Sequence, residues 1–211
     1  MAGSAEDLNK LLEESGIRPD SESGAQMRAY LALLEKWDSA INLTASTEWS
    51  AINPLFLESI RASAFYPRGD VKHLDIGSGG GFPAIPLRIL QPSMQLELVE
   101  SRGKRCVFLE TVVNQLEFRE AVIHNMRLDE LLHRVGEEKV WDCISWKAIK
   151  LAARDLEMLR SHAHSKTQFW VFQGKEMAVR EPEAFAKDFT LLRNERLGCG
   201  REWNLSIYGL S

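Results

Sequence analysis

The 211-residue sequence predicts an α/β protein built on a mostly parallel sheet and preceded by a helical lobe. Three observations carry that prediction. From Val71 onward, short apolar runs alternate with helical stretches, the rhythm of parallel βαβ units. Before residue 70 only helical periodicity is present. Between them stands His73-Leu74-Asp75-Ile76-Gly77-Ser78-Gly79-Gly80-Gly81-Phe82-Pro83, an apolar strand that stops in glycines and enters a helix at Pro83, where a missing N–H costs nothing.

Residues 5–14 and 23–40 read as helices, the second with Tyr30, Leu31, Leu34, Trp37 and Ile41 at three-and-four spacing behind Ser21 or Ser23 as cap. A third helical stretch carries Leu55, Leu57, Ile60, Ala64 and Phe65, places Pro54 near its first turn, and ends before Pro67 and Gly69. These segments form a lobe over residues 1–69 and leave 70–211 to the sheet domain. Strands are expected at 71–76, 95–99, 120–124, 140–145 and 167–172, with helices over Arg102 to Leu116 and Leu151 to Leu159 in the gaps. A last helix near 176–186 precedes two strand-like runs, 189–197 and 203–210, flanking Gly198-Cys199-Gly200 as a hairpin.

Composition narrows the function classes. No apolar run approaches the roughly 18 residues of a membrane span, and the N-terminus is too acidic and polar for a signal peptide, so a cytoplasmic location is expected. Cys106, Cys143 and Cys199 are odd in number and have no Cys-x-x-Cys pairing, which suggests neither disulfides nor a metal site; they read as small buried hydrophobes. A formal charge of −4 argues against a surface that binds nucleic acid everywhere. Its distribution is uneven. Residues before 71 hold 11 acids against 6 bases, and those from Asp142 onward 9 against 11, so a polyanion would approach the later two-thirds.

A strand–glycine–helix turn in an open α/β sheet sits at the carboxyl end of the strand, where ligands collect. The dinucleotide fingerprint Gly-x-Gly-x-x-Gly fails here, because its third glycine would be Phe82. The run instead reads Asp-x-Gly-x-Gly-x-Gly and resembles the first motif of the Rossmann-like class I methyltransferases, whose cofactor is S-adenosylmethionine. Glu100 stands 19 residues after Gly81, where an acid accepts hydrogen bonds from ribose hydroxyls, although a solvated acid in a turn gives the same pattern. After the third strand, Asp129 is placed to bond the adenine amino group with Leu128 near the ring; stabilising a helix N-terminus explains Asp129 equally well. Past the fourth strand, Lys147 can meet the cofactor carboxylate or a substrate phosphate, and Trp146 can stack on a base or pack at the rim. Arg102, Lys104 and Arg105 suit phosphate contact, or simply a solvated helix face. No hydrolytic triad or acidic pair is evident, which is compatible with methyl transfer, since a sulfonium activates its own methyl group and an acceptor with a free lone pair needs no base.

A more specific likeness follows from an ordered set of motifs. Asn42-Leu43-Thr44, Leu57-Glu58-Ser59, the His73–Pro83 run with Ile85-Pro86-Leu87, and Glu100-Ser101-Arg102-Gly103-Lys104-Arg105 with Phe108-Leu109 together resemble the ribosomal RNA small-subunit methyltransferase G family, also called glucose-inhibited division protein B. The likeness covers residues 25–175 and weakens at both ends. It implies a seven-stranded class I methyltransferase sheet with an antiparallel C-terminal hairpin and transfer from S-adenosylmethionine to N7 of a guanine in small-subunit (16S) rRNA. The expected partner is that rRNA or the 30S subunit, bound by a monomer. Carried across by position, it implies that Gly77, Phe82, Leu128 and Asp129 line the cofactor site; with the residues read from the motif and the strand ends, the expected cofactor set is Asp75, Gly77, Ser78, Gly79, Gly81, Phe82, Glu100, Ser101, Leu128, Asp129 and Lys147, and Arg102, Lys104, Arg105 and Trp146 are expected to face the acceptor. Three departures fall on the acceptor side. An Arg-His pair ahead of Leu-Asp-Ser is Pro54-Leu55 here, Ser-Arg-Ala reads Trp146-Lys147-Ala148, and Lys-Gly after the fifth strand is Gln173-Gly174. A different RNA or small-molecule acceptor, or a noncatalytic cofactor-binding module, therefore remains an alternative.

Overall fold

The computed structural model describes residues 2–44, 46, 48–174, 188–198 and 203–211. Five parallel strands, β1 (Lys72–Ile76), β2 (Gln95–Val99), β3 (Ala121–His124), β4 (Cys143–Lys147) and β5 (Gln168–Gly174), are joined by β6 (Phe189–Arg196) and β7 (Trp203–Leu210) in the order β3-β2-β1-β4-β5-β7-β6. β7 lies antiparallel between β5 and β6, as the hairpin signal and the family likeness led one to expect.

Alternation along the strands feeds two cores. Leu96 and Leu98 of β2, Trp170 and Phe172 of β5 and Leu205 of β7 join a cluster with α1 (Ala2–Glu14), α2 (Glu22–Ile41), α3 (Trp49–Ser63), α4 (Ala84–Leu90) and α5 (Gly103–Gln115). Leu74, Ile76, Ile144, Trp146, Phe169 and Val171 join the other, with α6 (Leu128–Val135) and α7 (Ala153–Arg160). The N-terminal helices are thus continuous with the sheet's own hydrophobic core, each buried Leu or Phe contributing about 1.5 to 3 kcal/mol.

Two elements differ from expectation. α3 begins at Trp49, so Pro54 sits in its second turn, where the missing N–H removes an intrahelical bond instead of filling an orphan position. β4 starts at Cys143 and runs to Lys147, because Cys143, Ile144, Ser145 and Trp146 register against His73, Leu74, Asp75 and Ile76 of β1. Residues 140–142 precede the strand, and Trp146 and Lys147 belong inside it. Cys106 and Cys143 are buried free thiols, while Cys199 and the helix expected near 176–186 lie outside the described residues. Among the described residues no helix is long and apolar enough to cross a membrane.

Glu97, in the middle of β2, ties the β3 edge to the sheet. Its Oε1 accepts from the Trp141 indole at 3.0 Å and from Lys139 Nζ at 2.6 Å, and its Oε2 pairs with His124 Nε2 at 2.8 Å. Burial pushes the Glu97 carboxyl up, but these three partners outweigh it and hold the group down at about 2, against 4.5 for a free glutamate. A carboxyl depressed on folding contributes stability above its unfolded value and loses it as pH falls toward the folded one. Denaturant titrations at about pH 6 and about pH 3 should therefore differ by an extra loss on the order of 2 kcal/mol that Glu97→Gln abolishes; equal pH slopes in the two proteins would show that the network carries no such term.

Candidate functional site

The order β2-β1-β4 makes the gap between β1 and β4 the point where successive connections leave for opposite faces of the sheet, and ligands of open α/β sheets bind there. A cleft of about 250 Å³ opens at the carboxyl ends of the first four strands. Ile76 and Gly77 line it after β1, Val99, Glu100 and Ser101 after β2, and Met126, Arg127, Leu128 and Asp129 after β3; Ile149, Lys150, Leu151, Arg154 and Asp155 come from beyond β4.

The turn after β1 is anchored to β2: the Gly77 and Ser78 amides both donate to the Val99 carbonyl, at 2.8 and 3.1 Å. Gly77 has φ +69°, and a Cβ there would stand 3.1 Å from Ile149 Cδ1 at the cleft wall. Glu100 is buried and points back into the turn. Its Oε2 accepts from the Gly79 amide at 2.9 Å and its Oε1 from the Arg102 amide at 2.9 Å, with Arg105 Nη1 4.0 Å away. The backbone donor that a dinucleotide turn offers to a phosphate is here already bonded to a carboxylate. A pyrophosphate would meet negative charge, whereas ribose hydroxyls would meet acceptors with lone pairs to spare.

Further glycines of the run serve packing. A Cβ on Gly81 (φ +93°) would fall 2.6 Å from Ile85 Cγ1 and 3.0 Å from the Tyr30 hydroxyl, and one on Gly80 would fall 3.2 Å from the Leu43 carbonyl oxygen. Tyr30 of α2 donates its hydroxyl to the Gly80 carbonyl at 2.5 Å, and Arg105 Nη2 donates to the Asn42 carbonyl at 3.1 Å. The lobe therefore clamps the turn from outside.

Of the residues singled out in the sequence, Gly77, Glu100, Ser101, Leu128 and Asp129 meet at the cleft. Asp129 lies in the first turn of α6, 3.5 Å from Arg127 Nε, so the helix-end role and the cleft role coincide in one residue. Phe82 does not reach the cleft. It is 9% exposed, with its ring 5.2 Å from those of Tyr30 and Phe56, so in this structure it packs at the interface between the glycine turn and the lobe. Trp146 is 3% exposed among the α6–α7 core residues and offers no open face to a base, because β4 extends two residues past its expected end. Lys147, expected free at the rim, is buried against the Glu58 carboxylate of α3, which its ammonium bonds directly, and lies 4.6 Å from the centre of the Trp203 ring. Burial pushes the Lys147 ammonium below the ordinary lysine value while Glu58 pulls it back up. Arg102 and Lys104 are exposed beside the cleft. Met126, Ile149, Lys150 and Arg154 were missed. Their signal was the rule that every strand's carboxyl end contributes, which for Ile149, Lys150 and Arg154 needed the correct end of β4 to be applied.

Beside the cleft, on the lobe-facing side of the sheet, Asp75 is fully enclosed. Its Oδ1 accepts from the Ser145 hydroxyl at 2.5 Å, and its Oδ2 has no hydrogen-bond partner among the described residues. Burial pushes the Asp75 carboxyl up to about 7; the Ser145 and Ser78 hydroxyls lower it, Glu100 raises it, and Lys147 lowers it again. No group of three or more His, Cys, Asp or Glu among the described residues is arranged to hold a metal ion.

Comparison with known proteins agrees with this geometry. The family model described as rRNA small subunit methyltransferase G matches residues 23–199. Similar relatives include "Ribosomal RNA small subunit methyltransferase G" of Pseudomonas aeruginosa (strain LESB58), 36% identical over 96% of this chain and 94% of that one. The protein of the same name from Roseiflexus sp. (strain RS-1) is 32% identical over 70% of this chain, and the match spans 65% of the relative's own length. In fold, the chain resembles a ribosomal protein L11 methylase from Lactobacillus delbrueckii subsp. bulgaricus (TM-score 0.58, 16% identity, 73% of this chain and 77% of that one). It also resembles MtNAS in complex with MTA and tNA (TM-score 0.59, 12% identity, 90% and 73%). With a class I methyltransferase sheet and a family match over most of its length, the chain belongs to the rRNA small subunit methyltransferase G family.

Proposed function

We propose that this chain transfers the methyl group of S-adenosylmethionine to N7 of a guanine in small-subunit rRNA. The observation that carries the reading is the cleft itself, where Glu100 occupies the turn's amide donor and faces the space that a nucleoside, not a pyrophosphate, would fill. When bound, S-adenosylmethionine supplies a methyl group already activated by its sulfonium.

What remains for the protein is placement. Glu100 would accept from the ribose hydroxyls, Asp129 from the adenine amino group, and Met126, Leu128 and Ile149 would supply apolar walls for the purine. The unpartnered Asp75 Oδ2 matches the cationic amino group of the methionine part, since a buried carboxylate oxygen is stabilised by a charged donor. Guanine N7 attacks with its own lone pair, so in-line orientation, worth on the order of 7 to 11 kcal/mol, takes the place of a general base. The lobe over residues 1–69 serves as the buttress of this turn, and exposed Lys150 at the cleft, with exposed Arg102 and Lys104 following Ser101 in sequence, suits phosphate contact. A cytoplasmic monomer acting on rRNA fits this reading.

A second reading keeps the enzyme class and changes the acceptor, favoured by Pro54-Leu55 and Gln173 and by Lys147 being engaged with Glu58. Radiolabelled methyl transfer to 30S subunits from a strain lacking this protein separates the two. Incorporation at a single guanine N7 is expected; cofactor binding without incorporation into 30S subunits or their RNA would sink the first reading and leave the second.

Gly77→Val should weaken S-adenosylhomocysteine binding at least tenfold in calorimetry, because the new side chain meets Ile149 at a positive φ. Gly81→Ala should instead lower stability by about 1 to 3 kcal/mol in denaturant, since its Cβ collides with Ile85 and Tyr30. Reversed phenotypes would refute the division of the glycines. Lys147→Met should cost about 3 to 5 kcal/mol by leaving Glu58 buried and unpaired, and adding Glu58→Leu should restore part of that. A Lys147→Met variant as stable as the parent would show that the pair does not hold α3 to β4.

A further inference from the structure

We propose that Tyr66, His73 and Ser145 form a hydrogen-bond relay that orients the Asp75 carboxylate and keeps its Oδ2 as the acceptor for the cofactor's cationic amino group, which makes His73 and Ser145 positioning residues. The proposal rests on the cofactor reading of the cleft and adds to it the device that sets up one of its contacts.

The relay follows from register and proton inventory. Asp75 and Ser145 are partners in the parallel β1–β4 ladder, so they point to the same face, and His73 lies two residues before Asp75 on that face. Ser145 donates to Asp75 Oδ1 at 2.5 Å. Having given its only proton, its oxygen must accept from His73 Nε2, 2.8 Å away, which fixes the tautomer with hydrogen on Nε2. His73 Nδ1 is then a lone pair, and the Tyr66 hydroxyl donates to it at 2.8 Å. Every hydrogen in the chain points toward Asp75. Full burial pushes His73 down to about 3, so it stays neutral and transmits orientation without adding charge.

The groups facing Asp75 have opposing effects. Ser145, Cys143 and Lys147 come from β4, Glu100 from the end of β2, Ser78 from the turn, Tyr30 from α2, and Glu58 of α3 acts through Lys147. With Lys147 already paired, the Ser145 hydroxyl is the donor that directly touches Asp75 Oδ1. Removing it raises the Asp75 pKa further, so the carboxylate is lost at higher pH. Cofactor affinity should follow it.

Calorimetric binding of S-adenosylhomocysteine, which keeps the amino group, tests this across about pH 5.5 to 9. In the parent protein, affinity should fall as pH drops through about 7. Ser145→Ala should raise Kd about tenfold at neutral pH and move the acid limb to higher pH, while kcat at saturating cofactor changes less than about twofold. Tyr66→Phe, which keeps the ring and loses only the donor, should move both readouts the same way by about two- to threefold, and it decides the matter if Ser145→Ala does not fold. Folded variants with the parental Kd and an unshifted acid limb would overturn the relay. No binding by the parent at any pH would overturn the cofactor reading itself, and the relay's role with it.

Discussion

At the centre of the lobe-facing side of the sheet, where apolar side chains would be the inexpensive choice, β1 and β4 carry His73, Asp75, Ser145 and Lys147. Helices lie over this strip, so its polar groups must satisfy one another or be satisfied by the cover. An unpaired charge in such a place costs several kcal/mol, and an unpaired hydroxyl or imidazole about 1 to 3. The partners come from the lobe: Glu58 on α3 meets Lys147, and Tyr66 just beyond α3 meets His73. Tyr30 on α2 adds a third tie, to the glycine turn. Chain segments that look like an appendage are in this sense conditions for the cleft's geometry. Unfolding the lobe would expose the apolar face of the sheet and also strip the polar strip of its partners.

The same strip explains what could be read from the sequence and what could not. β1, β2, the glycine turn and the terminal hairpin announce themselves by local pattern, and each is found where the pattern puts it, to within a residue or two. Glu100 and Asp129 were legible because their places follow from strand ends and from short-range spacing. Phe82 and Gly81, expected at the cofactor site, do not line the cleft, and their packing was not legible because the partners, Tyr30, Phe56 and Ile85, are supplied largely by helices far away in sequence. Trp146 and Lys147 were placed in a loop because the run Trp141-Asp142-Cys143-Ile144 has the composition of a strand's opening. Pairing with β1 alone decides that the strand begins at Cys143 and continues to Lys147. Periodicity cannot supply a register that is set by a neighbour about 70 residues away.

One of the departures from the family pattern, Lys147, is linked in space to the Leu57-Glu58-Ser59 motif. Lys147 stands where the family likeness expects arginine. Taken alone, lysine in place of arginine suggests weakened cationic contact with a substrate. In the structure Lys147 forms an ion pair with the buried Glu58 of α3 and also sits over the Trp203 ring. The change therefore concerns how α3 is held against β4, and it says less about the acceptor than its position suggests.

If Lys147 is neutralised by Glu58, and Arg105 is held by the Asn42 carbonyl near Glu100, neither is a loose counterion for phosphate. Under the proposed function, attraction for RNA then falls to exposed side chains at the rim: Arg102 and Lys104 at the start of α5, Lys150 after β4, and Arg154 beside Asp155. Such contacts position a backbone without reading bases, and they weaken steeply with salt because bound counterions are released. Since the chain as a whole carries a formal charge of −4, recognition cannot come from bulk attraction. It has to come from a local basic rim around the cleft. An arrangement of that kind separates the groups that would hold the cofactor from the rim, which alone answers to the identity of the acceptor.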